Sequence, residues 1–248
     1  MPEISVHAIV LRRRDAGESD RRLTILTEEL GKIDVTAKGA RKAAARLAGI
    51  SEPLSHAVLG IATGKKSAFV TQAQPMSAFR GLRSDFDRLT FGLALAELFA
   101  AVLPYDEPAP EAFELLGHSL EFIERNAKPV VAFIWAQVRL LELSGFLPQF
   151  DRCVVTDRLV SEVEPWLSPQ AGGYVSDSEA GSFTDRFRAR VEVLFGLSRI
   201  GEFEAPPENL KFATEAVAAL LPFWRNIADM QLPANEAALR HLRQAAFD

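Results

Sequence analysis

Residues 4–39, ISVHAIVLRRRDAGESDRRLTILTEELGKIDVTAKG, decide the fold of the N-terminal third. Ile4, Val6, Ala8 and Val10 alternate with a second face, and Leu23 with Ile25, then Ile33, Val35 and Ala37, repeat the alternation. A period of two is that of a half-buried strand. Ala16-Gly17, Leu30-Gly31 and Lys38-Gly39 punctuate these segments as turns, with Gly49 and Gly64-Lys65 further on. Leu54–Ile61 and Ala68–Ala73 supply two more strands. About five short strands are too few for two packed sheets, whereas closure removes exposed edges, so a small barrel of the OB type is the economical solution.

Beyond Gly81 the period lengthens to about 3.6. Ser84 or Asp85 caps a helix whose Phe86, Leu89, Leu93, Ala96, Ala100 and Leu103 lie three and four residues apart until Pro104. A second helix follows from Pro110 with Phe113, Leu116, Leu120 and Ile123 inward, and a third runs from Pro129 to Gly145. Short connections between three such helices predict a bundle. Periodicity vanishes between Phe146 and Gly181, where Pro, Gly, Ser and Asp accumulate, and helical pattern resumes at Arg186–Leu197, Pro207–Leu221 and Asn235–Ala246. The expected class is α+β: a barrel over residues 1–80, then a helical domain over 81–248 carrying a loop-rich insert at about 146–182.

At 248 residues, 48% apolar and 25% charged, the chain has the composition of a globular protein. Phe91–Leu103, the longest apolar stretch, is interrupted by Glu97 and short for a bilayer, and the N-terminus lacks signal-peptide character, so a cytoplasmic location without membrane contact is expected. One cysteine, Cys153, excludes an intrachain disulfide and a multi-cysteine zinc site. The charge is split: up to Arg80 there are 13 Lys and Arg against 8 Asp and Glu, net +5, and after it 15 against 25, net −10. A basic module suited to polyanions is thus joined to an acidic body.

The cations concentrate between Arg12 and Arg46: Arg12, Arg13, Arg14, Arg21, Arg22, Lys32, Lys38, Arg41, Lys42 and Arg46, on strand ends and loops. Lys38-Gly39-Ala40-Arg41-Lys42 combines a glycine, which permits close backbone approach, with three cations, as phosphate recognition requires. All of these except Lys32 are candidate nucleic-acid contacts. Aromatic stacking surfaces look scarce: Phe69 and Phe79 are the barrel's aromatics, and Phe69, between Ala68 and Val70, reads as core. Binding led by phosphate contacts is expected, weakly sequence-dependent and weakened by salt. Neither a phosphate loop nor a dinucleotide fingerprint, a HExxH pair or a serine elbow is present, so no catalytic residue, metal site or cofactor is assigned. A nucleic-acid binder, for DNA or RNA, and a helical scaffold with a structural barrel both fit these residues; titration with single-stranded DNA against RNA separates them.

The segment His7–Gly49, with its basic run followed by Gly17, Glu18 and Asp20, the turn Thr27–Gly31 and Lys38-Gly39-Ala40-Arg41, resembles the N-terminal barrel of the bacterial RecO family. Leu140–Cys153, LLELSGFLPQFDRC, resembles that family's passage into a zinc-ribbon-like insert, and Gly172-Gly173 the glycines before its second metal knuckle. Zinc-bearing members carry two CxxC pairs there, whereas this chain keeps Cys153 and has Thr156, Ser176 and Glu179 at the other positions. The resemblance therefore implies a degenerate insert without structural zinc, held by packing through Phe150, Trp166 and Tyr174, with Cys153 as a small buried hydrophobe.

The same resemblance implies a non-enzymatic mediator of DNA repair and homologous recombination. Such a protein binds single- and double-stranded DNA, anneals complementary strands, binds the acidic C-terminal tail of the single-strand binding protein SSB, and with RecR helps load RecA; it is cytoplasmic and associates with the bacterial nucleoid during repair. An acidic tail with an apolar end needs local cations beside exposed apolar surface. Trp135 with Arg139, and Trp224 with Arg225 following Phe223, place an aromatic and an arginine within about one helical turn and are the expected docking stretches.

Overall fold

The computed structural model describes residues 3–42, 47–64, 67–77 and 79–245. The chain divides into two compact units, Met1–Glu124 and Arg125–Asp248.

In the first unit, β1 (Glu3–Ala16), β2 (Asp20–Thr27) and β3 (Gly31–Ala37) form an antiparallel meander; α1 (Leu47–Ile50) follows, then β4 (His56–Thr63) and β5 (Ala68–Ser77). The strands close in the order β1-β2-β3-β5-β4, with β3 and β5 joined in parallel, giving the expected OB-type barrel. Its interior is filled by the inward parity of every strand: Val6, Ala8 and Val10; Leu23 and Ile25; Ile33, Val35 and Ala37; Ala57, Leu59 and Ile61; Val70. A bulge between Val10 and Arg12 shifts β1 by one residue against β2. Past it, Arg13 stands opposite the buried Leu23, while Arg12 and Arg14 stand opposite Thr24 and Arg22 on the outside.

The helices α2 (Arg80–Ser84), α3 (Phe86–Val102) and most of α4 (Pro110–Arg125) belong to the barrel's unit. Asp85 caps α3 as the sequence indicates, its side chain accepting the Arg88 N–H at 2.9 Å. Lys32, opposite Leu26, is only 4% exposed; its Nζ donates to the Ala100 carbonyl at 2.8 Å and stands 4.1 Å from the Tyr105 ring centroid. The Lys32 carbonyl in turn accepts the Asp106 N–H. Gly31 beside it has a φ of +68°, and a Cβ there would lie 1.7 Å from the Glu107 carbonyl oxygen, so only glycine fits.

The second unit holds α5 (Pro129–Leu143), a sheet of β6 (Trp166–Ser168), β7 (Gly173–Val175) and β8 (Phe187–Arg188) in the order β7-β6-β8, then α6 (Val191–Ile200), α7 (Ala213–Ala228) and α8 (Pro233–Ala245). Helix α7 touches α5, α6 and α8 and carries on through Pro222 beyond the expected end at Leu221. Helix α6 begins at Val191 rather than near Arg186 because Phe187 and Arg188 pair with β6. Phe223 ties the sheet to the helices, with Phe150 and Phe187 edge-on to it at 6.1 and 6.4 Å. Among the described residues no helix is long and apolar enough to cross a membrane.

Candidate nucleic-acid interface

The register sorts the cations of the barrel into two sets. Arg13, Arg21 and Arg41 are used by the fold. Arg13 pairs with Glu52 at 3.1 Å. One nitrogen of Arg21 reaches Glu52 at 3.0 Å, the Ser51 hydroxyl at 2.6 Å and the Ala48 carbonyl at 3.1 Å, which ties β2 to the segment around α1. Arg41 pairs with Asp15 at 3.4 Å and donates to the Gly17 carbonyl at 2.9 Å, joining the β3–α1 loop to the β1–β2 turn. Lys32 is buried against α3, and burial, helped by the nearby Arg12 charge and opposed by Asp34, lowers its pKa from 10.5. Arg12, Arg13 and Arg14 lie in the C-terminal part of β1.

The second set faces out. Arg12, Arg14, Lys38 and Lys42 are exposed and form no ion pair among the described residues; Arg22, exposed beside them, shares Asp34 at 3.2 Å. Arg14, Arg22 and Thr36 stand opposite one another across β1, β2 and β3, and Thr36 is in register with Phe69 of β5. Phe69 is therefore not core. Its ring is half-buried on the outer surface, with the Lys38 ammonium 4.2 Å from its centroid. Inward Val70 next to it carries the parity signal from which this could be read, but the run Ala68-Phe69-Val70 is apolar throughout and hides it. Arg46 lies outside the described residues.

The Lys38–Lys42 turn is braced rather than free. Gly39 turns at a φ of +66°; its N–H donates to Asp20 at 2.8 Å, and the Arg41 N–H donates to the Ser19 carbonyl at 2.9 Å. The Gly39 amide, then the Ser19 hydroxyl, with the Lys38 and Lys42 charges, hold the Asp20 carboxyl below its ordinary pKa. Two ammonium groups thus flank a fixed turn at the edge of a face bearing Arg12, Arg14 and Arg22, a surface shaped for a polyanion.

The N-terminal domain of Recombination protein O matches residues 1–79, and its C-terminal domain matches residues 83–223. The chain belongs to the RecO family. Relatives named DNA repair protein RecO include that of Roseiflexus sp., 35% identical over 174 residues, covering 70% of this chain and 61% of the relative. That of Heliobacterium modesticaldum is 36% identical over 174 residues, covering 68% and 63%. The chain thus aligns with just over three fifths of each of these two, whereas the match to the Nocardioides sp. protein, 30% identical over 222 residues, covers 86% of this chain and 91% of that one.

In the second unit, the residues expected to receive a partner are occupied. Trp135 is 4% exposed and donates its indole N–H to the Phe203 carbonyl at 2.9 Å; Trp224 is 1% exposed. Neither offers apolar surface, because α5 is buried on every side from Val131 to Val138 and α7 turns Trp224 into the core. Arg139 donates to the Gly201 carbonyl at 2.9 Å and Arg225 pairs with Glu236 at 2.7 Å. A groove of about 320 Å³ elsewhere in this unit sets the half-buried Phe187 beside Arg188, Arg190 and Arg243, alongside Glu164 and Glu215, over the buried Val193 and Ala219.

Cys153, at 2% exposure, is more than a small hydrophobe. The Ser176 N–H donates to its Sγ at 3.3 Å, and the Ser176 hydroxyl lies 3.6 Å away. Burial pushes this thiol up, but hydrogen bonds from the Thr156 hydroxyl, from the Ser176 amide and hydroxyl and from the Thr156 amide outweigh it and bring the pKa from 9.0 to about 7. Thr156 and Ser176 thus converge on the sulfur, two of the positions at which the resemblance implied cysteines, while Glu179 is reached through Ser178. Phe150 and Tyr174 are buried as expected, whereas Trp166 is covered by Arg186 and Arg188, at 5.2 and 3.9 Å from its ring.

Proposed function

We propose that this chain is a non-enzymatic DNA repair and recombination mediator that holds single- and double-stranded DNA on the outer face of its barrel. The observation that carries this reading is the gathering of Arg12, Arg14, Arg22 and Lys38 on one face, with Lys42 in the adjoining turn, while Arg13, Arg21 and Arg41 serve the fold. Cations at that face lower the repulsion between two strands, and annealing of complementary strands then needs no acid, base or nucleophile. Membership of the RecO family supports the remaining parts of the role: work with RecR in loading RecA onto SSB-coated single strands, in the cytoplasm and at the nucleoid.

The SSB tail is a proposed partner of the second unit. With Trp135 and Trp224 buried, the groove bearing Arg188, Arg190 and Arg243 is the docking surface proposed for it in place of the stretches ending in Arg139 and Arg225. There a tail carboxylate meets a guanidinium while an apolar side chain lies against Phe187. Titration with single-stranded DNA, duplex DNA and RNA of equal length tests the first claim: binding to both DNA forms that weakens with salt is expected, and a strict preference for RNA, or no binding at low salt, overturns it. Calorimetry with an SSB tail peptide tests the second: Arg243→Ala weakens the peptide and Arg139→Ala does not, and the reverse outcome returns the site to α5.

A further inference from the structure

Phe69 is the aromatic side chain that closes the cationic row on the barrel. The row Arg14–Arg22–Thr36–Phe69 crosses β1, β2, β3 and β5 in register. At about 4.8 Å between neighbouring strands, the row runs about 14 Å from backbone to backbone along the curved sheet. Its sequence neighbours Ala68 and Val70 pack into the interior, so the barrel grips the ring at its base and leaves the rest to the surface. What covers it is a cation: the Lys38 Nζ, 4.2 Å from the centroid and without an ion pair among the described residues.

We propose that Phe69 is a stacking site for one base of a single strand, and that Lys38 is the group the base displaces. The inference rests on the reading that this face binds DNA and names which form of DNA it prefers. An aromatic face attracts a cation through its quadrupole, and it accepts a nucleobase of any identity through stacking, the stronger of the two contacts at an exposed site. When a base takes the ring, the Lys38 ammonium moves off at the same edge where the strand's phosphates run past Arg14 and Arg22, and it gains a phosphate there. Both partners of the original contact are better matched after the exchange. A duplex cannot enter this exchange, because its bases are already stacked on one another, so the ring discriminates single strand from duplex while the arginines serve both.

The experiment measures binding of the full chain, at one low salt concentration, to a thymine oligonucleotide, an abasic oligonucleotide of the same length and a duplex of that length. Phe69→Leu, which keeps an apolar side chain of similar bulk, weakens the thymine oligonucleotide about tenfold, the loss typical of one base–aromatic stack. It leaves the abasic oligonucleotide and the duplex within about twofold of wild type on the same scale. Phe69→Trp restores the thymine oligonucleotide, which separates stacking from damage to the fold. An equal loss on all three probes, or none on the thymine oligonucleotide, overturns the stacking site while leaving DNA binding by the barrel intact. A wild-type chain that binds none of the probes overturns the DNA-binding reading and this inference with it.

Discussion

Replacing Arg12, Arg14 and Lys42 together by Gln removes three cations that form no ion pair among the described residues. Each phosphate neutralised on a single strand contributes about −0.7 to the slope of log K against log salt, so the triple variant flattens the slope by about 2. With all five outward cations engaged in the wild type, raising the salt from about 50 to about 200 mM weakens binding about 130-fold; with the two that remain, it weakens binding about sevenfold. The unfolding midpoint in urea stays near wild type. Arg21→Met has the opposite signature. One guanidinium nitrogen loses Glu52, Ser51 and the Ala48 carbonyl together, in a side chain only 14% exposed, which costs about 1–3 kcal/mol of stability and leaves the salt slope unchanged. Fluorescence anisotropy across a salt series and urea unfolding followed by circular dichroism give both quantities for both variants. If Arg21→Met flattens the slope as much as the triple variant, or the triple variant keeps the wild-type slope, the division of cations into binding and structural sets is wrong.

Two further outcomes concern buried titratable groups. Burial lowers the Lys32 pKa below 10.5, so the unfolded chain binds more protons in that range and wild-type stability rises as pH climbs through the folded pKa toward 10.5; Lys32→Met lacks this rise, and parallel slopes of unfolding free energy against pH for the two proteins would remove the burial argument. For Cys153 the folded pKa of about 7 lies below 9.0, so its contribution is complete above pH 9.0 and is lost as pH falls through about 7; the stability gap between wild type and Cys153→Ala therefore widens from neutral to alkaline pH, and elemental analysis finds no stoichiometric zinc in either.

The barrel was legible because the core positions of β1 up to Val10 and of β2 and β3 alternate without a break: Val6, Ala8, Val10, Leu23, Ile25, Ile33, Val35 and Ala37 all point where their parity demands. The same counting misplaces the arginines that follow. Continued from Val10, it would turn Arg12 and Arg14 inward and Arg13 outward, and the bulge at Val10–Arg12 reverses all three. A bulge depends on pairing with a distant strand and leaves no mark on local composition. Lys38, two residues beyond Thr36, follows parity and needed no correction. The tryptophans failed for a different reason: an aromatic and an arginine a turn apart define a helical neighbourhood, but which face is covered depends on the elements packed against it, and α5 is enclosed all round. The third strand of the insert, only Phe187–Arg188, is too short to carry any period at all.

The ammonium of Lys32 reaching across to Ala100 bears on how such a protein is inherited. The two family domains meet between residues 79 and 83, yet that seam runs through a single packed body, since the buried lysine lies on one side of it and its carbonyl acceptor, with the Glu107 backbone against Gly31, on the other. A hybrid gene spliced at the seam would confront the barrel with a foreign helix, whose last-turn carbonyl must fall in the same place to receive the desolvated charge. A graft that keeps this packed body whole would be cut after Glu124 instead.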